Sequence, residues 1–75
     1  MEKNENNITH EEIALIKQAL NDKLKETRII YTLSLQRAQN PYYDPKYNIE
    51  CAIACKEQIQ LYLSLIAKIE KLFQN

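Results

Sequence analysis

"NPYYDPKYN", residues 40–48, holds both prolines of the chain and three of its five tyrosines. Its reading decides the fold. Pro41 disfavours helical backbone at Asn40, so a helix arriving from the N-terminal side ends there. Asp44-Pro45 then reads as a fresh start, an acidic cap followed by proline at the first helical position. Asn48 is an alternative cap if the second helix begins later. The connection is short in either case, and a short connection makes two helices antiparallel neighbours. The stretch is therefore first of all a stop, a bend and a start.

Upstream, nothing breaks a helix as far as Gln39. "THEE" at residues 9–12 is a capping box, with Thr9 and Glu12 each satisfying the other's backbone N–H. Ile8 and Ile13 are placed as the accompanying hydrophobic staple. Two acids in the first turn suit the positive end of the helix dipole. Ile13, Ile16, Leu20, Leu24, Thr27, Tyr31, Leu35 and Ala38 fall on one stripe at about 100° per residue. Some 30 residues of helix span about 45 Å.

Downstream, Ala52, Cys55, Ile59, Tyr62, Ile66, Ile69 and Phe73 alternate spacings of 3 and 4, the seam of a coiled coil. With the bend centred near Tyr43, antiparallel pairing sets Phe73 by Ile13, Ile66 by Leu20 and Cys55 by Tyr31. The expected fold is all-α, an antiparallel two-helix hairpin over residues 9–75 as a single domain. Residues 1–8 are expected to form a flexible N-terminal leader.

Apolar residues exceed what one hairpin can bury. On the second helix Leu61, Leu65 and Leu72 form a further line, joined by Ala54, and Leu63 sits on the opposite edge. The apolar arc spans roughly 200° by the same count, whereas a helix facing one partner buries a stripe nearer 100°. On the first helix Leu15, Ala19, Ile30 and Leu33 lie away from the main stripe. A second copy would cover this surplus, giving a homodimeric four-helix bundle. Its expected interface is Leu61, Leu65, Leu72, Ile30 and Leu33.

Composition excludes several classes of function. The 75 residues carry no net charge, and lysine supplies eight of the ten positive charges. No basic patch of the kind that binds nucleic acid is evident. There is no glycine, which removes both the P-loop and the dinucleotide fingerprint, whose backbones must approach a phosphate closely. No run approaches the roughly 18 apolar residues of a membrane span. The polar, acidic start is not a signal peptide. A soluble, cytoplasmic protein is expected. The wealth of Lys, Ile and Asn fits an AT-rich genome, such as that of a low-GC bacterium or its phage.

Candidates for chemistry are sparse. Cys51 and Cys55 lie one helical turn apart, but a zinc site needs about four ligands. Small core thiols are the expected reading. His10, beside Glu11 and Glu12, lacks the second histidine of a zincin helix. Asp22 and Glu26 share a face among lysines. Ser34 and Ser64 have no histidine nearby to act as base. Glu70 intrudes on the seam near Lys17, as an edge ion pair would. No cofactor, metal or catalytic residue is expected.

The tyrosines carry the functional reading. Tyr31 and Tyr62 occupy seam positions. Tyr42, Tyr43 and Tyr47 gather at the bend, where three rings cannot all fold over one narrow bundle end. Exposed tyrosines are common anchors at interfaces. The expectation is a non-enzymatic interaction module, an adaptor or inhibitor that docks on a larger protein through Tyr42, Tyr43 and Tyr47. The alternatives are a structural assembly component or an enzyme with an intersubunit site. Helical hairpins that dephosphorylate response regulators carry a Ser-Gln-Glu-Leu-Asp signature. Residues 56–65, "KEQIQLYLSL", lack its acidic pair, so that activity does not transfer.

Overall fold

The computed structural model describes residues 8–72. Two helices, α1 (His10–Ala38) and α2 (Pro45–Leu72), pack against each other as a hairpin. Phe73, expected at the end of the seam, and residues 1–7 of the expected leader lie outside the described residues.

The helix ends follow from local chemistry. The Thr9 hydroxyl accepts from the Glu12 N–H at 3.1 Å, and the Thr9 N–H donates to the Glu12 carboxylate at 2.8 Å. Both halves of the capping box are thus made. Arg37 lies in the last turn of α1, where a cation meets the negative end of the dipole.

The bend turns without glycine and without any positive φ among the described residues. Asn40 opens a tight turn. Its carbonyl accepts from the Tyr43 N–H at 3.1 Å, and its side-chain oxygen accepts from the Tyr42 N–H at 2.9 Å. Asn at the first position and Pro at the second are the residues such a turn favours. Asp44 then caps α2, accepting from the Lys46 N–H at 3.0 Å. Asn48 is not the cap. It lies inside the first turn, buried, and its amide donates back to the Asp44 carbonyl at 2.8 Å.

Burial fixes the register. The only residues of α1 that are not exposed are 13, 17, 20, 24, 27, 31, 34 and 38. Their spacings alternate 4 and 3, a strict heptad line. On α2 the line runs 48, 52, 55, 59, 62, 66 and 69, with Cys51 half-buried beside it. Antiparallel pairing about the bend then sets Ser34 opposite Ala52, Tyr31 opposite Cys55, Thr27 opposite Ile59 and Leu20 opposite Ile66. The Lys17 ammonium reaches the Glu70 carboxylate at 3.1 Å, which agrees with this pairing.

One part of the expected stripe is corrected. Ile16 and Leu35 are exposed, at 38% and 41%, while Ser34 is buried. A coiled-coil seam repeats every 3.5 residues rather than 3.6, so heptad position outranks hydrophobicity. The line therefore runs through Lys17 and Ser34. Thr27 is buried without penalty because its hydroxyl donates to the Lys23 carbonyl at 2.8 Å. No buried side-chain nitrogen or oxygen among the described residues lacks a partner.

The core is thin. Ile13, Leu24, Ala52 and Ile69 are its buried apolar residues, and no described side chain is fully enclosed.

Candidate functional site

The tyrosines of the bend stand clear of the core. Tyr42 is 93% exposed and Tyr47 63%. Tyr43 is less so, because the Arg37 guanidinium lies over its ring, 5.3 Å from the centroid. A cation over the face of an aromatic ring is attracted by the ring's quadrupole. This contact ties the bend to the last turn of α1. The three rings therefore sit on a scaffold fixed by the Asn40 turn, the Asp44 cap and Arg37, and they present apolar faces and hydroxyls at one end of the rod. None of them closes the end of the core as a lid.

Tyr47 has a neighbour that the sequence reading overlooked. Cys51 lies one turn further along α2. Hydrogen bonding and charge repulsion from the neighbouring Cys51 thiol, and to a lesser extent burial, push the Tyr47 phenol above its ordinary value of 10.0. The i, i+4 spacing of Tyr47 and Cys51 was the available clue.

The surplus apolar residues are exposed. Leu61 stands at 68%, Leu72 at 65%, Ile30 at 50%, Leu65 at 45% and Leu33 at 41%. Helical geometry sorts them by flank. Lys17 and Glu70 meet across the seam, so their sides of α1 and α2 lie on one flank of the two-helix layer. On α1 that flank continues through Asn21, Arg28 and Thr32 with the exposed Leu35, and on α2 through Lys56 with the exposed Ile49 and Leu63. An open depression of about 620 Å³ runs round the outside of α1, lined by Asn21, Lys25, Arg28, Thr32 and Gln36 with Leu24, Ile29 and Leu33. The other flank carries Ile16, Ala19, Ile30 and Leu33 of α1 with Cys51, Ala54, Leu61, Leu65 and Leu72 of α2. All five expected interface residues share it. Ile29, Ile49 and Ile53 are further exposed apolar residues that the sequence reading did not single out. They lie outside both heptad seams.

The candidates for catalysis are not brought together. Asp22 and Glu26 are exposed on the outside of α1, where Glu26 lies 3.7 Å from Lys23. Cys55 is half-buried in the seam on the other helix, and both cysteines are free thiols. Ser34 is buried between the helices. His10 begins α1, at the end away from the bend. No three His, Cys, Asp or Glu side chains among the described residues cluster as a metal site would require. No helix among them is long and apolar enough to cross a membrane. Compared with known proteins, the chain matches no family model, no curated protein and no solved structure.

Proposed function

We propose that the protein is a non-enzymatic interaction module that pairs with a second copy as a four-helix bundle and docks on a larger protein through its tyrosine bend. The observation that carries the docking reading is the exposure of Tyr42 and Tyr47 on a bend fixed by local hydrogen bonds. Rings held ready on a rigid turn lose little conformational freedom on binding, and Tyr brings large contact area with a polar tip. A thin core supports the pairing. Domains of this size rarely gain more than about 3–5 kcal/mol from one core, and covering each exposed leucine contributes about 1.5–3 kcal/mol.

Docking is tested by exchanging Tyr42 and Tyr43 for Ala and comparing retained proteins with those held by the wild type. A partner held by the wild type and lost by the variant, at unchanged helicity, is the expected result. Identical partners for both would contradict the role of the bend.

A further inference from the structure

Beside its seam, α1 carries a second heptad line: Glu12, Ile16, Ala19, Lys23, Glu26, Ile30, Leu33 and Arg37. It lies at roughly a right angle to the seam, on the flank away from the Lys17–Glu70 pair. The order of this line is self-complementary when reversed. Read against an antiparallel copy of itself, Glu12 meets Arg37, Ile16 meets Leu33, Ala19 meets Ile30, and Lys23 meets Glu26. Acid meets base and apolar meets apolar at every step. On α2, residues 51, 54, 58, 61, 65, 68 and 72 form a similar line on the same flank, with Gln58 and Lys68 its polar members. Each helix thus has two heptad lines at about a right angle, as each helix of a square four-helix bundle has two neighbours.

We propose that a second copy of this chain packs on this flank with its bend at the opposite end, α1 against α1 and α2 against α2. The proposal rests on the self-association reading above and adds the face and the orientation. Charge and register select both. The register that sets Leu20 opposite Ile66 places the α1 midpoint, between residues 24 and 25, level with the point between Leu61 and Tyr62. Leu61 of each copy therefore lies beside the two-fold axis. In the other symmetric arrangement, with both bends at one end, α1 packs on α2. Lys23 and Glu26, already 3.7 Å apart within one chain, would then face Leu61 and Leu65 and gain no opposite charge from the second copy.

Leu61, Leu65, Leu72, Ile30 and Leu33 are all exposed on this flank, and a standard interface covers about 800 Å² of each partner. The consequence is a rod with a tyrosine cluster at each end, about 40 Å apart, suited to bridging two copies of a partner.

The test uses the full chain with Cys51→Ser and Cys55→Ser, into which Leu61→Cys is introduced. Under mild oxidation L61C should form an interchain disulfide in high yield. Leu15→Cys, equally exposed but off the face, should not. In the cysteine-containing parent, Lys23→Glu or Glu26→Lys alone should weaken dimerisation about tenfold or more, since each change acts twice across the axis. The two together should restore it. A dimer that neither cross-links through L61C nor responds to the charge changes overturns the face and orientation while leaving self-association standing. A monomer at every concentration overturns both.

Discussion

Thr9 and Glu12 satisfy each other's backbone N–H groups at the exposed start of α1. Thr9→Ala should cost about 1 kcal/mol, read as a lowered denaturation midpoint. Glu12→Ala in addition should cost little more, because the two bonds act as one motif. At the other end of the molecule, Cys51 raises the Tyr47 phenol. Because the folded pKa is above the unfolded one, the associated stability is full below pH 10. It is lost as pH rises through the raised value. The phenolate absorbance of wild type against Tyr47→Phe isolates this titration, and Cys51→Ala should return it toward the ordinary value. An unchanged curve would remove the Cys51 contact from the account. Both caps were legible in the sequence because their bonds span two or three residues. The Tyr47–Cys51 pair, four residues apart on α2, was equally local.

The two helices and the bend between them were also legible, from Pro41, Asp44-Pro45 and the heptad of α2. The seam of α1 was legible only in part. Lys17 and Ser34 are polar, so a reading by hydrophobicity moves to Ile16 and Leu35, one residue aside. Ser34 lies inside because the heptad line of α1 passes through it, and the antiparallel register sets that position level with Ala52, far away in sequence. Ser34→Leu should therefore overpack the bend end and cost about 1–3 kcal/mol, although it makes α1 more apolar. Leu35→Ser, at an exposed position, should cost under about 0.5 kcal/mol. Urea denaturation of both variants decides this, and the reverse ranking would return the seam to Leu35. Lys17→Ala should change stability by at most about 1 kcal/mol, since the side chains of its ion pair with Glu70 stay 35% and 49% exposed.

At the scale of the whole molecule, two helices form a layer one helix thick, too thin to enclose any described side chain fully. An apolar flank of this kind on a thin rod is covered by association or remains an aggregation hazard. The surplus leucines were legible in the sequence as an excess of apolar arc. The shared flank was not, because it depends on which sides of α1 and α2 come together, and Lys17–Glu70 marks that. Leu61→Glu sets two carboxylates beside each other across the proposed axis, and it should dissociate the pair while leaving each hairpin helical. The most direct measurement is the solution mass by light scattering across a dilution series. The account predicts twice the 8.9 kDa chain mass at high concentration, falling toward the monomer on dilution or with Leu61→Glu. A helical monomer of 8.9 kDa at every concentration would contradict it.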